Sequence, residues 1–248
     1  MFIHVHTKYS GLRERISRIP NGEYESIRTF CNKRNTVEQV RIEEKEFVVK
    51  KYKVPNIANR VIYTFFRRSK ARRAYDNALR ILRCGVSTPF PVAYIETKKR
   101  GLFHTGYFIS EYMNAPTLAD YRNIRLSEEE SNIFKEDFLN FTIGLHEKNI
   151  LPLDYNKGNI FCKKDEESGH YKFSLTDINR AKFGDFSRYK PMLSFAQMGI
   201  PPHKLVDVMS EYSSRRELDL EASLFLVYYY RIKRRVKCLL KRKIKHEK

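Results

Sequence analysis

The stretch that decides the fold is Leu151-Pro152-Leu153-Asp154-Tyr155-Asn156-Lys157-Gly158-Asn159-Ile160-Phe161. Asp154 is followed five positions later by Asn159 and then by apolar residues, a spacing typical of the loop that supports phosphoryl transfer. That reaction needs a carboxylate beside the attacking hydroxyl, which fits Asp154, and an oxygen ligand for a nucleotide-bound metal, which fits Asn159. Because Asp and Asn are common in loops, an ordinary polar turn explains this one motif equally well.

A second acidic residue makes the case stronger. Asp177 lies in Phe173-Ser174-Leu175-Thr176-Asp177-Ile178-Asn179-Arg180, at the end of a predicted strand that follows a hairpin. Kinases place their principal metal-binding aspartate at this point of the chain. The two motifs in this order predict a kinase that uses ATP and Mg²⁺. In it, Asp154 is the base or orienter of the acceptor hydroxyl, and Asn159 and Asp177 are metal ligands.

A strand lysine upstream is the third element. Val48-Val49-Lys50 resembles the kinase strand whose lysine contacts the α- and β-phosphates. Because side chains alternate along a strand, Lys50 and Lys51 lie on opposite faces. Lysines are frequent in this chain, and Lys53 is also close, so an ordinary surface lysine is the alternative. We favour Lys50 as the nucleotide-binding residue.

The acidic partner of this lysine is expected on the following helix. Asp76 is the only acid within Lys70–Arg83, so it is the candidate by elimination. A solvated helix charge that faces Arg72, Arg73 or Arg80 is an equal alternative.

The first part of the chain reads as strands with one helix. Residues 24–53 are rich in β-branched and aromatic residues and predict strands. Lys70–Arg83 carries apolar residues at helical spacing and predicts a helix, with Gly85 as its cap. Pro91–Glu96 and Gly106–Tyr112 predict two further strands. We therefore expect an N-terminal lobe over residues 1–114, built from an antiparallel sheet and a helix.

The second part, residues 115–248, is predicted to be a mostly helical C-terminal lobe. Ser127 and Glu130 form the pattern of a capping box at the start of a helix that runs to about Lys148. His146 near its end is a candidate base or a packing residue beneath the loop, and we favour packing. A hairpin with its polar tip at Lys164–Lys172 follows, and then helices. The fold class is therefore α+β, with the two lobes of a protein-kinase-like fold.

Six short stretches together carry a resemblance to a known family. They are Val49–Pro55, Ser69–Ala71, Gly85–Pro91, Leu153–Tyr155, Gly158–Ile160 and Thr176–Arg180. Over roughly residues 30–188 the sequence resembles the Kdo/WaaP lipopolysaccharide kinase family, a branch of the protein-kinase-like fold. The resemblance implies ATP-dependent phosphorylation of a Kdo or heptose hydroxyl in the lipopolysaccharide inner core. It carries the nucleotide lysine to Lys50, the catalytic aspartate to Asp154, the metal ligands to Asn159 and Asp177, and a phosphate-facing role to Arg180.

The sequence also departs from this family and from kinases in general. Pro152 replaces the usual histidine before the catalytic Leu-Asp pair, and Asn179 replaces the glycine after the metal-binding aspartate. Residues 31–35 contain no glycine where kinases have a phosphate loop, so Lys33 and Arg34 are the candidates to bind phosphate there. No protein-kinase activation segment follows Asp177, which argues against protein substrates. A pseudokinase or scaffold of the same fold is the alternative.

The charge of the chain points to an anionic partner. Lys and Arg number 48 against 29 Asp and Glu, which gives a net charge of +19. Nucleic acid, an anionic membrane surface and a phosphorylated or lipid-linked core sugar all fit this charge. A basic nucleic-acid-binding protein is therefore a competing hypothesis, but no recognised motif supports it, and we expect no nucleic acid partner.

The last residues predict a possible contact with the membrane. Arg231–Lys248 holds ten basic residues in eighteen, while Ile232, Val236, Leu239, Leu240 and Ile244 keep helical spacing. Such a basic amphipathic helix can lie on an anionic membrane face, and the alternative is that its apolar stripe packs on the C-terminal lobe.

The cysteines and the apolar runs bear on location. Cys31, Cys84, Cys162 and Cys238 lie far apart, which disfavours a zinc site and a disulfide scaffold. The first nineteen residues lack the apolar core of a signal peptide, and no run approaches the roughly 20 apolar residues of a membrane span. We expect a cytoplasmic protein, with possible peripheral attachment to the inner face of the inner membrane.

Overall fold

The computed structural model describes residues 1–121 and 124–246, with the side chains of the last helix described as far as Leu240. The chain divides into two compact units. The first is Met1–Asn114 together with Leu175–Arg180, and the second is Ala115–Ser174 together with Ala181–Lys248.

The segment Leu175–Arg180 belongs to the first unit, so our prediction of 115–248 as one uninterrupted lobe is wrong there. The reason is a set of long-range hydrogen bonds. The Leu175 amide donates to Ser87 O at 2.9 Å, and Thr88 Oγ1 donates to Leu175 O at 2.7 Å. A third bond runs from Asn77 Nδ2 to Ile178 O at 2.7 Å.

Six strands form an antiparallel sheet in the first unit. They are β1 (Phe2–Val5), β2 (Glu25–Asn32), β3 (Thr36–Ile42), β4 (Lys45–Lys51), β5 (Pro91–Lys99) and β6 (Leu102–Glu111), in the order β1-β5-β6-β4-β3-β2. The predicted strands in 24–53 and the pair joined by a turn near residue 100 are confirmed. Two 3₁₀ turns (Thr7–Leu12 and Ile19–Asn21) and the short α1 (Arg13–Ser17) pack Leu12, Ile16 and Ile19 against one face.

Two helices complete the first unit, α2 (Ile57–Phe65) and α3 (Lys70–Arg83). The bounds predicted for α3 are confirmed. Ser69 caps it by accepting a hydrogen bond from the Arg72 amide at 3.1 Å, and Gly85 follows it with a φ of +70° that favours glycine. Its apolar stripe of Ala71, Ala74, Tyr75, Ala78 and Ile81 is buried.

The second unit is mainly helical. Its elements are α4 (Leu118–Tyr121), α5 (Glu128–Glu147), β7 (Ile150–Leu151), β8 (Ile160–Lys164), β9 (Tyr171–Leu175, of which Leu175 joins the first unit), β10 (Lys182–Phe183), α6 (Met192–Met198), α7 (Pro202–Arg215) and α8 (Leu220–His246). The capping box of Ser127 and Glu130 is confirmed, with bonds of 3.1 and 3.0 Å. The α+β class with an N-terminal antiparallel sheet and a largely helical remainder is confirmed.

Helix α8 packs over only part of its length. Ser223 and Val227 are buried, and Arg231 Nη2 donates to Ile200 O at 2.8 Å. Every residue from Ile232 to Leu240 is exposed. The alternative that this apolar stripe packs on the lobe is therefore wrong for Ile232–Leu240; the Ile244 side chain and residues 247–248 lie outside the described part. In the described ranges, 1–121 and 124–246, we find no helix long and apolar enough to cross a membrane.

Candidate active site

Lys50 and Asp177 form an ion pair in the first unit. The Lys50 ammonium lies 2.7 Å from Asp177 Oδ1, and the two side chains are 15% and 33% exposed. Lys50 is on β4, a strand inside the sheet, and its neighbour Val49 faces the opposite, buried side. Because side chains alternate along the strand, Lys50 points to the other side, toward the segment that carries Asp177. The sequence motif indicates this same face of β4.

Asp177 has an unusual backbone conformation that is held by its neighbours. Its φ is +51°, in the left-handed region, where Asp and Asn are more readily accommodated than most side chains. Asn179 Nδ2 donates to Asp177 Oδ1 at 2.6 Å, and Arg73 Nη1 fixes the Asn179 carbonyl at 3.1 Å. Asn179, which replaces a kinase glycine, thus orients the carboxylate.

Asp76 is not the partner of Lys50 that we predicted. Its carboxylate pairs with Arg68 at 2.8 Å and with Arg72 at 3.8 Å. The inward face of α3 is made of alanines and Tyr75, and Asp76 lies about 100° further round the helix. The alternative of a helix charge that faces arginine is the one found, and the role of Asp76 in nucleotide binding is corrected accordingly.

Several cations surround this ion pair in the first unit. Burial lowers the pKa of Lys70 below its ordinary value, and the positive charges of Arg34, Arg73 and Lys50 lower it further, while Asp177 opposes them. Arg34 and Lys33 are exposed on the turn after β2, and Arg34 is close enough for its charge to lower the pKa of Lys70. Lys70 was not among the predicted site residues, although Ser69–Ala71 is one of the stretches that carry the resemblance. The group has a surplus of positive charge that suits a polyphosphate.

The loop of Asp154 and Asn159 is organised within the second unit. Asn156 Nδ2 and Asn159 Nδ2 both donate to the Asp154 carbonyl, at 3.0 and 2.9 Å. Asn156 Oδ1 also caps the 3₁₀ turn Lys157–Asn159 by accepting from the Gly158 amide at 3.0 Å. Buried Tyr155 anchors the loop to α5 through a 2.8 Å hydrogen bond with Thr142. The loop is therefore held in place by its own asparagine side chains and by its contact with α5.

Asn159 in the second unit and Asp177 in the first each carry an oxygen of the kind that suits Mg²⁺. The Asn159 amide nitrogen is committed to the loop, so its Oδ1 is the atom that can bind a cation. Lys50 and Asn179 both bind Oδ1 of Asp177, so Oδ2 can accept a cation without loss of either contact. Amide and carboxylate oxygens are the hard ligands that Mg²⁺ prefers.

Two further residues were named from the sequence: Arg180 as a predicted phosphate contact and Pro152 as a departure from the kinase pattern. Arg180 ends the 3₁₀ turn Ile178–Arg180 in the first unit, directly after the segment that carries Asp177. Pro152 is buried between β7 and Asp154 in the second unit, where it precedes the catalytic loop. Its ring fixes the backbone there without the hydrogen bonds that a histidine would make.

His146 is a packing residue of the second unit. Its imidazole is buried, with Nδ1 2.9 Å from the Tyr212 hydroxyl and Nε2 3.3 Å from the Ser194 hydroxyl. Burial lowers the pKa of His146 to about 3, and the charge of Arg216 adds to this. The folded state therefore favours the neutral imidazole, which agrees with the packing interpretation.

This burial predicts a specific dependence of stability on pH. The folded pKa of His146 is about 3 and the unfolded one 6.5, so the unfolded chain binds more protons in that window. The contribution of His146 to the free energy of unfolding is fully present above pH 6.5 and decreases as the pH drops below that value. Between pH 7 and 5 the free energy of unfolding should decrease by about 2 kcal/mol through His146. Urea unfolding of wild type and His146→Gln tests this, and parallel pH slopes would contradict it.

Comparisons with known proteins place the fold. No family model matches the sequence. The chain is 26% identical over 124 residues to the serine/threonine-protein kinase DCLK3 of Mus musculus, a match that spans 49% of this chain but only 15% of that protein. Among solved structures it is similar to WaaP in complex with acyl carrier protein, with a TM-score of 0.63, 15% identity, and coverage of 94% of this chain and 99% of that one. The chain therefore has a kinase-like fold of the WaaP type, as the sequence resemblance predicted.

Proposed function

We propose that this chain is an ATP- and Mg²⁺-dependent phosphotransferase that phosphorylates an alcohol group, and that the acceptor is a Kdo or heptose hydroxyl of the lipopolysaccharide inner core. The observation that carries the proposal is the Lys50–Asp177 ion pair at 2.7 Å, in a chain with the WaaP fold. A lysine and an aspartate in these positions are the groups by which kinases bind nucleotide phosphates and metal.

Each residue then has a distinct task. Lys50 neutralises the α- and β-phosphates. Asp177 and Asn159 would supply oxygen ligands to Mg²⁺, which would shield the charge that develops on the phosphates. The Asp154 carboxylate accepts or orients the proton of the acceptor hydroxyl. Arg180 contributes a further positive charge for phosphate. Catalysis is thus mostly positioning and electrostatic stabilisation by groups already fixed through hydrogen bonds.

The chain between Asp177 and α6 supports a small acceptor. After the 3₁₀ turn Ile178–Arg180 come the two-residue β10 and short turns, and α6 begins at Met192. Protein kinases use a long activation segment here as a docking platform for protein substrates. A sugar hydroxyl needs no such platform. The net charge of +19 suits an acceptor that carries phosphate or carboxylate groups.

The acceptor can be identified by mass spectrometry. Lipid-linked core sugars are incubated with Mg-ATP and the full chain, and we expect one added phosphate on the Kdo or heptose residue. The matched control is Asp154→Asn, which should leave the sugars unchanged. If a protein substrate gains phosphate while every core sugar stays unmodified, the acceptor class is wrong, although the kinase chemistry stands.

Lys70 is expected to bind nucleotide phosphate. Lys70→Met should raise the Kd for Mg-ATP about tenfold, or about 1.4 kcal/mol, and leave the Kd for adenosine unchanged. The fold should tolerate the change, because it removes a half-buried cation that other cations destabilise. Calorimetry measures both constants, and Arg83→Met, an exposed cation in the last turn of α3, is the control. An unchanged Kd for Mg-ATP would exclude Lys70 as a phosphate ligand.

Helix α8 is the proposed contact with an anionic membrane. Its exposed segment carries Ile232, Val236, Leu239 and Leu240 together with Lys233, Arg234, Arg235 and Lys237. Apolar side chains and lysines or arginines on one exposed helix are the composition of interfacial helices, with each cation adding about 1 kcal/mol near anionic lipid. Co-sedimentation with anionic vesicles should fall when Lys233 and Lys237 are changed to Glu. Unchanged sedimentation would exclude this role.

A further inference from the structure

Helix α2 attaches to the first unit through its polar side. Arg60 Nε donates to Phe103 O at 2.8 Å, and Arg60 Nη2 donates to Lys99 O at 2.9 Å. Thr64 Oγ1 accepts from the Phe103 amide at 2.8 Å, and the ring of Tyr63 meets that of Phe103 edge-on at 5.4 Å. The residues that hold α2 on the β5–β6 hairpin are therefore mostly those that a surface helix usually turns toward solvent.

The apolar side of α2 points outward. At 100° per residue, Ile57, Val61, Ile62 and Phe65 occupy one half of the helix and Arg60, Tyr63 and Thr64 the other. Phe65 is 69% exposed, and Phe66, directly after the helix, is 81% exposed. Ile57 and Ile62 are exposed as well, and among the described residues of α2 none is buried. A contiguous group of this kind is typical of a binding surface rather than of scattered exposed residues.

The charge beside this surface is positive. Arg67 and Arg68 follow the two phenylalanines and are exposed, and residues 67–73 hold five Lys or Arg in seven positions. The nearest acid on α3, Asp76, is already paired with Arg68 and Arg72. The surface therefore combines a solvent-facing apolar half-helix with an excess of cations, which is complementary to an apolar layer covered by anionic groups.

We propose that α2 with Phe66, Arg67 and Arg68 docks the first unit onto an anionic lipid surface, with Phe65 and Phe66 inserted at the boundary between headgroups and acyl chains. A lipid interface fits because it accepts an apolar half-helix flanked by arginines without a shaped pocket. Aromatic rings are favoured at that depth, and arginines reach the headgroup phosphates from there. This surface does not depend on the proposed kinase function and is separate in the chain from α8.

The absence of tryptophan from the sequence permits a direct test. Phe66→Trp places a single indole on the surface of the full chain. With vesicles of mixed anionic and zwitterionic lipid, we expect its emission to shift to the blue and to be quenched by brominated acyl chains. Zwitterionic vesicles alone should give neither effect. The control is Ile27→Trp, an exposed apolar position on β2 of the same unit, whose emission should stay unchanged.

A double variant measures how much Phe65 and Phe66 contribute to vesicle binding. Phe65→Ser with Phe66→Ser should raise the Kd for anionic vesicles at least tenfold and leave Mg-ATP binding unaltered. The proposal is overturned if the double variant binds vesicles like the wild type, or if the indole at position 66 stays water-exposed on the bound protein. It is also overturned if an acidic protein without lipid gives the full emission shift, because the occupant is then a protein.

Discussion

Asp177→Asn is expected to abolish phosphoryl transfer and to weaken Mg-ATP binding more than any other single change in the first unit. The variant keeps the size of the side chain, and Asn tolerates the φ of +51° at this position, so the backbone should not move. It removes the negative charge that pairs with Lys50 and that we propose binds the metal. A loss of several kcal/mol of electrostatic stabilisation corresponds to a rate decrease on the order of 10³-fold or more.

The measurement for Asp177 combines kinetics with binding. The rate of γ-phosphate transfer and the Kd for ATP are determined with and without Mg²⁺. We expect the wild type to gain affinity from the metal and the variant to gain almost none. Asp76→Asn is the matched control, because Asp76 pairs with Arg68 and Arg72 and should leave transfer unchanged. Transfer by Asp177→Asn at near the wild-type rate would contradict the assignment of Asp177 as a metal ligand.

Asp154→Asn is expected to abolish transfer while leaving nucleotide binding intact. Asn156 and Asn159 hold the loop through hydrogen bonds to the Asp154 carbonyl, and the substitution leaves both of these bonds in place. What is lost is the group proposed to take or orient the acceptor proton, a contribution of about 10²- to 10⁴-fold in rate. The Kd for Mg-ATP should change by less than about twofold, since the role proposed for the Asp154 carboxylate does not include nucleotide binding.

Mg-ATP binding distinguishes the two aspartates, because it should be weakened in Asp177→Asn and kept in Asp154→Asn, while both variants lose phosphoryl transfer. Loss of Mg-ATP binding in Asp154→Asn would show that Asp154 holds metal or nucleotide, or that the loop has collapsed. A control for loss of charge in the second unit is Asp165→Asn, because Asp165 lies on the turn after β8 and pairs with the exposed Lys172. That variant should transfer phosphate at the wild-type rate.

Local patterns of the sequence predicted much of this fold. The bounds of α3 follow from the Ser69 cap, the apolar stripe and Gly85, all within one stretch of chain. The capping box at Ser127 and the face of Lys50 on β4 are likewise set by neighbours a few residues away. In each case the local preference and the packing agree, which is why a single sequence was sufficient.

Long-range contacts account for what was missed. The partner of Lys50 is Asp177, more than a hundred residues away, and no local rule prefers it over Asp76. Strand β1 has only four residues, too few for its alternation to be recognised, and it is defined by pairing with β5. Helix α2 inverts the usual rule, because its polar side packs and its apolar side is exposed. A sequence pattern that assumes apolar residues inside cannot predict that orientation.

The departures from common kinase motifs now have physical roles. Asn179 orients the Asp177 carboxylate through a 2.6 Å hydrogen bond instead of leaving a flexible glycine there. Lys70 and Arg34 concentrate positive charge beside Lys50 where the glycine-rich phosphate loop is lacking. These substitutions are compatible with catalysis, so we expect an active enzyme rather than a scaffold of the same fold.

The most direct test of the central claim is the transfer of labelled γ-phosphate from ATP to an inner-core glycolipid by the purified full chain. We expect label on the glycolipid that depends on Mg²⁺, persists in Asp76→Asn and is lost in both Asp154→Asn and Asp177→Asn. Absence of transfer by a folded wild-type protein that binds Mg-ATP would favour a scaffold. Transfer that survives in both variants would contradict the chemistry assigned to these residues.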